Sequence, residues 1–434
     1  MNWPLFADSG WIWGKDKGRE DGTPRIWYFR KPFSIDRIPS TAIVRLSADS
    51  RYRFYVNGIS VSFGPCKGDG QVWFYEEVDI APYLVEGVNV LAAVVLRYSL
   101  LEKGNNSIWR TATPGLFVDG VMEFGDIRIP LKTDSTWRCR CAEEISIVAE
   151  DPQMNYLHHL ERAHGNAYMH NWMSAAYDDA DWFETREYNN IQMHKGISPA
   201  ALRPRPIPPM LETARLFQRV TQARKTTIPV ERWNDLLQGR NELVIPANSE
   251  HIIEFDAGAY ATGFIRISLL SGKDSEIQIL TSECYAYPQT ETLNGQRPMV
   301  LKGDRTDSIN GQLVGFLDIY KVAGCGSEAS REVYEPFWFR AFRFIQLNVK
   351  TLSEPLVISS LNYRETRYPL EAKTRVESTW SDLHPIWDIS LRTLQFCMHE
   401  TYEDCPFYEQ LQYIMDARNQ ILYTYAISAD DRMA

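Results

Sequence analysis

Glu400-Thr-Tyr-Glu-Asp-Cys-Pro-Phe-Tyr-Glu-Gln-Leu-Gln-Tyr-Ile-Met-Asp416 is the stretch at which this sequence changes character. Ahead of it, from Arg25 to about Tyr363, residues alternate with the period of strands. On either side of it the apolar residues recur with the period of helices. Leu383, Ile386, Trp387, Leu391, Leu394 and Met398 fall on one helical face. Ser381-Asp382 supplies a cap or first-turn acid, and Pro385 is early enough to be tolerated. A second helix is expected from roughly Leu411 to Ala426, with Ile414, Ala417, Ile421, Leu422 and Tyr425 as its apolar side. The stretch is therefore read as the connection between two helices, with Asp404 and Glu409 just ahead of the second and Asp416 inside it. It carries five carboxylates (Glu400, Glu403, Asp404, Glu409, Asp416) among four rings (Tyr402, Phe407, Tyr408, Tyr413), with no Lys or Arg. Flat apolar faces beside acids suit the C–H side, the hydroxyls and the glycosidic oxygen of a sugar. The plainer reading is a solvated acidic turn, whose charge the helix dipole partly stabilises.

Working back from this stretch, the strand signals are dense. Ile26-Trp-Tyr-Phe-Arg-Lys-Pro-Phe-Ser-Ile and Ala42-Ile-Val-Arg-Leu-Ser-Ala precede Tyr52-Arg-Phe-Tyr-Val. There Arg51, Arg53 and Asn57 alternate with Tyr52, Phe54 and Val56, as a strand with one buried face should. Asn57-Gly58 supplies a hairpin turn that tolerates positive φ. Asp79-Ile-Ala-Pro-Tyr-Leu then leads to the buried strand Gly87-Val-Asn-Val-Leu-Ala-Ala-Val-Val-Leu, and the pattern runs on through Trp109, Trp137, Trp172 and Trp182. Many short strands broken by Gly, Pro and Asn predict an antiparallel β-sandwich over residues 1–198. Proline density in 199–211, ending Leu202-Arg-Pro-Arg-Pro-Ile-Pro-Pro-Met, predicts a stiff, extended linker. A second β-sandwich is expected over 212–367, from strands at 251–255, 263–270, 276–280 and 342–349. Asp256-Ala-Gly258 and Ser271-Gly-Lys-Asp are read as turns between them.

Composition narrows the function. The chain of 434 residues is too long for one core, and roughly two to four domains are expected. A net charge of −10 argues against nucleic acid or an anionic membrane surface as partner, and no apolar run approaches the ~18 residues needed to span a bilayer. The aromatic share is 12%, a mild pointer to sugar binding that sandwich cores explain equally well. The odd count of 7 Cys reads as reduced thiols, and Met1-Asn-Trp-Pro-Leu-Phe-Ala-Asp lacks the layout of a secretory signal. A cytoplasmic protein is the expectation, although a trimmed secreted form would read the same. His158, His159, His164 and His170 lack the regular spacing of zinc ligands, so no metal is predicted.

With these residues in view, Asp404-Cys-Pro-Phe-Tyr-Glu-Gln-Leu-Gln-Tyr-Ile-Met-Asp416 resembles the catalytic motif of the bacterial α-L-rhamnosidases, glycoside hydrolase family 78. Arg51-Tyr-Arg-Phe-Tyr-Val-Asn-Gly58, Gly64-Pro65, Tyr177-Asp-Asp-Ala-Asp-Trp182, Glu254-Phe-Asp-Ala-Gly258, Thr262-Gly263 and Pro336-Phe-Trp-Phe-Arg-Ala-Phe-Arg-Phe344 are similar to the family's β-domains, in the same order. The resemblance implies an inverting hydrolase, without cofactor, that releases terminal α-L-rhamnose from glycosides or oligosaccharides within an (α/α)6 barrel. On that basis Glu409 matches the general acid. Asp404 and Asp416 match acids that hold the hydroxyls and the positive charge developing at the anomeric carbon. Tyr413, with Tyr408, matches a pocket-lining ring. If the helix already runs, Asp416 lies two turns past Glu409. Glu403 precedes the motif and is set aside.

The match departs from many members. An Arg-Asp-Glu-Arg and Gly-Trp-Thr-Gly-Asp version is common there, with one residue more between the positions of Asp404 and Glu409, so this chain sits in a distinct branch. An inverting enzyme also needs a second carboxylate, roughly 6.5–9.5 Å from the first. Only roughly sixty residues follow Tyr368, so 368–434 is read as the incomplete start of the barrel. The base is expected beyond Ala434, and these 434 residues alone are expected to hydrolyse nothing at a useful rate. A homodimer is the assembly considered. A same-fold hydrolase of a related sugar is the nearest rival. A non-catalytic carbohydrate-binding or scaffold protein is the alternative of another class.

Overall fold

Asn57 and Gly58 both take positive φ, +50° and +83°, and so close a tight hairpin between the strands Arg51–Val56 and Ile59–Gly64. The Asn57 side chain secures it, accepting from the Val90 N–H at 2.9 Å and donating to Asn89 Oδ1 at 2.8 Å. The computed structural model that contains this hairpin describes residues 10–14, 23–98, 108–148, 160–167, 169–188, 197, 201–287 and 301–434. His158, His159 and Pro199 lie outside the described residues. The chain divides into two units, one built from 1–145 and 169–209, the other from 146–168 and 210–432.

In the first unit the hairpin strand Arg51–Val56 pairs with Gly87–Arg97, which pairs with Arg25–Ile35. The hydrogen-bonded path continues through Arg138–Cys141, Phe183–Tyr188, Trp11–Gly14, Gly115–Phe124, Thr41–Asp49 and Trp73–Asp79. It ends at Leu202–Pro204, which joins Trp73–Asp79 in parallel. The path curls so that both of its halves feed one core: Trp27, Phe29 and Leu91 on one side, Val44, Leu46 and Phe117 on the other. The polar turn before Trp182 is present, and that ring is buried against Trp172 and Tyr28. Two expectations fail. Arg51 and Arg53 do not face solvent; both are buried, because Phe63 on the paired strand covers that face, 5.1 and 4.5 Å from the two guanidinium carbons. Trp109, read into the sandwich pattern, is exposed.

The second unit is organised on one 20-residue strand, Glu250–Leu269. It pairs with Arg340–Lys350 and with Leu356–Arg367, both antiparallel. Asp256-Ala-Gly258, read as a turn, is instead a bulge within this strand. The register jumps from Asp256 opposite Phe344 to Ala261 opposite Phe342. Gly258 takes φ +88°, and Asp256 Oδ1 accepts its N–H at 2.7 Å, so the extra residues are absorbed without reversing the chain. The Ser271-Gly-Lys-Asp turn is present, with Gly272 at φ +96° and Asp274 at +63°. The sheet extends through Glu276–Ser282 and Phe316–Lys321 to Leu160–His164, and on its other side to Leu211–Arg215. Helix α1 (Val230–Leu237) interrupts a region read as all-β, burying Trp233, Leu236 and Leu237. Those three residues have helical spacing after Pro229, and that was the available signal.

The change of period is real. Helix α2 spans Leu383–Phe396 and helix α3 spans Ile414–Ser428. Met398 lies past the end of α2, and α3 starts three residues later than expected. Among the described residues little covers their apolar sides: Ile386, Ile389, Met415, Leu422 and Tyr425 are exposed, and Ile414 is 91% exposed.

Beneath the sheet of the second unit, Asp318 receives both a 2.7 Å and a 2.6 Å hydrogen bond from the buried Arg340. Glu161 adjoins this pair and accepts the Phe337 N–H at 2.7 Å. Burial, then the Asp318 charge, pushes the Glu161 carboxyl up to about 7, while Arg340 acts against them. Its ordinary value is 4.5, so the folded state binds the extra proton between those limits. Stability from this group is complete below about 4.5 and is lost as pH rises through about 7. Glu161→Gln keeps the neutral shape and should flatten that decline. Urea unfolding from pH 4.5 to 8 measures it; a decline as steep in the variant as in the wild type would contradict this account.

Candidate functional site

The loop between α2 and α3 owes its shape to hydrogen bonds at both ends and a clip in the middle. Cys397 N–H closes α2 on the carbonyls of Thr393 and Leu394, and Glu403 N–H returns to Cys397 C=O at 2.8 Å. Asp404 N–H bonds Leu411 C=O at 2.8 Å, and Gln410 N–H bonds Cys405 C=O at 2.9 Å, so 404–411 close into a ring. Gln410 takes φ +53°, the left-handed region that costs a non-glycine residue on the order of 1–3 kcal/mol. Its side chain offsets this, donating to Pro406 C=O and accepting the Trp338 indole N–H, each at 2.8 Å.

Sheet residues of the second unit hold the ring in place. Phe407 is buried 4.8 Å from Phe316, and a Cβ on Gly315 would run into the Thr281 carbonyl oxygen beside it. His399 is buried, stacked on Phe339 at 4.2 Å, with Nε2 3.1 Å from Thr262 Oγ1 and Nδ1 3.1 Å from Glu403 Oε2. Tyr402 reaches Thr424 of α3 at 3.1 Å. Lys302 donates to Tyr408 Oη at 2.8 Å, pairs with Glu283 at 3.1 Å, and lies 5.0 Å from the Tyr408 ring centre. Burial keeps the thiols of Cys397 and Cys405 protonated, each pushed up to about 12.

On this frame Asp404 and Glu409 come within each other's field. Burial raises the Asp404 carboxyl above the usual range and the Glu409 charge raises it further, while hydrogen bonds from Cys405 and Leu411 act against them. Asp404 Oδ1, Glu403 Oε1 and Gln420 Oε1 are buried acceptors to which none of the described residues donates. Such atoms call for donors from elsewhere. Glu409, partly exposed, lines a shallow, open depression together with Trp338, Phe316, Phe407, Thr281, Arg340 and Gln410. The remaining assigned residues are placed differently. Asp416 is exposed in the first turn of α3, and Tyr413, at its N-cap, is also exposed. The two-turn helical relation between Glu409 and Asp416 is absent, because the helix begins only at Ile414. Tyr408 is half-exposed at the Lys302 contact.

Sequence reasoning missed His399, Glu403, Thr262, Trp338 and Lys302. Glu403 was visible beside the motif. The others lie up to 137 residues from their partners, where spacing carries no signal. Among the described residues, no three or more His, Cys, Asp or Glu side chains are grouped to hold a metal ion.

No family model matches this sequence, and no curated protein does. Among solved structures, the chain superposes on a GH78 family rhamnosidase of Bacillus sp. GL1 with a TM-score of 0.76 at 17% identity, covering 100% of this chain and 62% of that one. It superposes on an α-L-rhamnosidase from Aspergillus terreus with a TM-score of 0.62 at 16% identity, covering 94% of this chain and 42% of that one. For the Streptomyces avermitilis α-L-rhamnosidase complexed with L-rhamnose the TM-score is 0.62 at 16% identity, with coverages of 95% and 35%. The chain thus has the fold of the corresponding parts of these enzymes and spans less than two thirds of their length.

The proximity of the two carboxyls has a direct consequence. Replacing Glu409 by Gln removes a like charge, so the Asp404 midpoint should fall. Carboxyl-carbon NMR titration of wild type and Glu409→Gln checks this; an unmoved midpoint would mean the two groups do not sense one another.

Proposed function

We propose that this chain carries the acid-bearing part of an inverting glycoside hydrolase of the α-L-rhamnosidase type, acting on terminal α-L-rhamnosyl groups of glycosides or oligosaccharides. One observation carries the reading: Glu409 lines an aromatic-walled depression and its charge is felt by the neighbouring Asp404, in a chain with the fold of the corresponding part of α-L-rhamnosidases.

The chemistry follows from that arrangement. Glu409 acts as the general acid, giving its proton to the departing glycosidic oxygen. Asp404, raised by burial and then by the Glu409 charge, holds its own proton to higher pH than a lone carboxyl would. As charge develops at the anomeric carbon, Asp404 and Asp416 hold the ring hydroxyls and the cationic centre; Asp404 Oδ1 is an acceptor to which none of the described residues donates. Tyr413 and Tyr408 offer ring faces to the sugar. Water attacks from the opposite face, activated by a second carboxylate ~6.5–9.5 Å from the first. Helices α2 and α3 are the opening pair of an (α/α)6 barrel, a reading supported by the bare apolar sides at Ile386, Ile414 and Leu422.

In the complete natural polypeptide, Glu409→Gln should lower hydrolysis of an aryl α-L-rhamnoside on the order of 10²–10⁴-fold with no change in melting temperature. Proton NMR of the wild-type reaction should show β-L-rhamnose first. Undiminished turnover in the variant, or the α-anomer as first product, would remove the assignment; a binding module would show no hydrolysis to lose.

A further inference from the structure

We infer that His399 and Glu403 are a positioning pair that fixes the acid-bearing ring to the sheet, an inference that rests on the functional reading of Asp404 and Glu409 given above. Glu403 immediately precedes Asp404. Its N–H is bound to Cys397 C=O at the end of α2, and its C=O accepts from Gln420 Nε2 of α3 at 2.7 Å. Its side chain points the other way, to His399, and both side chains are 1–2% exposed.

The hydrogens of this chain can be assigned by counting donors. Thr262 has a single hydroxyl hydrogen, and it is directed at Thr366 C=O at 2.5 Å. Thr262 Oγ1 is therefore an acceptor toward His399, and Nε2 is the N–H donor. One proton then lies between Nδ1 and Glu403 Oε2, whichever atom carries it. The chain from Glu403 through His399 and Thr262 to the Thr366 carbonyl links the acid ring to the neighbouring strands Glu250–Leu269 and Leu356–Arg367. Phe339, stacked on the imidazole, fixes its plane. A buried carboxylate and imidazole are costly unless paired, and two apolar side chains would pack as well. What the polar pair adds is direction: it sets where residue 404 begins, and with it the ring that ends on Glu409 and Gln410.

Glutamine at 403 can donate its amide N–H to a neutral Nδ1 and so preserve the link without the charge, whereas alanine cannot. The test compares His399→Ala, Glu403→Ala and Glu403→Gln in the complete natural polypeptide, by amide hydrogen exchange over 404–411 and by kcat and KM on an aryl α-L-rhamnoside. Both alanine variants should exchange faster at Asp404 and Gln410 and lose kcat on the order of 10- to 100-fold, with KM within about twofold. Glu403→Gln should stay near wild type in both. Unchanged exchange in the alanine variants overturns the inference. So does a glutamine variant as impaired as the alanine one, since Glu403 would then act through its charge. If the wild type hydrolyses no rhamnoside, the functional reading fails by itself, and the exchange comparison still decides the positioning role. Should His399→Ala not fold, the two Glu403 variants carry the test.

Discussion

Carboxylates crowded into one short loop repel one another, and the second unit depends on a frame that resists this. No cation lies within residues 400–416. The opposing forces come from elsewhere: Phe407 packed on Phe316, the Trp338 indole on Gln410, His399 held on Thr262, and Lys302 on Tyr408. Each is a contact with a residue distant in sequence, and each ends on or beside a sheet strand. The loop is acidic because the sheet permits it to be.

The long strand Glu250–Leu269 is what makes that frame stiff. A straight strand of this length would present one uniform surface; the bulge between Asp256 and Ala261 re-aims its second half. Thr262, the residue that receives His399, is the second residue past the bulge. Glycine serves a specific end here, since positive φ at Gly258 lets the extra residues loop out while pairing resumes on both sides.

How much of this was legible follows from the range of each interaction. The Asn57-Gly58 hairpin, the Trp182 turn and the switch from strand to helix period are local, and local pattern revealed them. The bulge was misread as a turn because Asp-Ala-Gly serves both, and only the pairing of the neighbouring strands distinguishes them. The buried Arg51 and Arg53 were misread because alternation reports which face differs, not whether a further ring lies over the polar one. In the site, Asp404 and Glu409 could be assigned because the resemblance to the rhamnosidase motif is carried by one contiguous stretch that holds both. His399 with Thr262 and Trp338 with Gln410 could not, since their partnerships exist only once distant strands are assembled.

The clip on Gln410 also sets an order of events. Its left-handed backbone is held by an indole 72 positions earlier, its neighbour Tyr408 by an amine 106 positions earlier, and His399 by a hydroxyl 137 positions earlier. None of those groups is in place until the strands bearing them have come together, and distant contacts are entropically the last to be rewarded. The acidic ring is therefore a late arrival in folding, a surface cast against a mould that must already be hard.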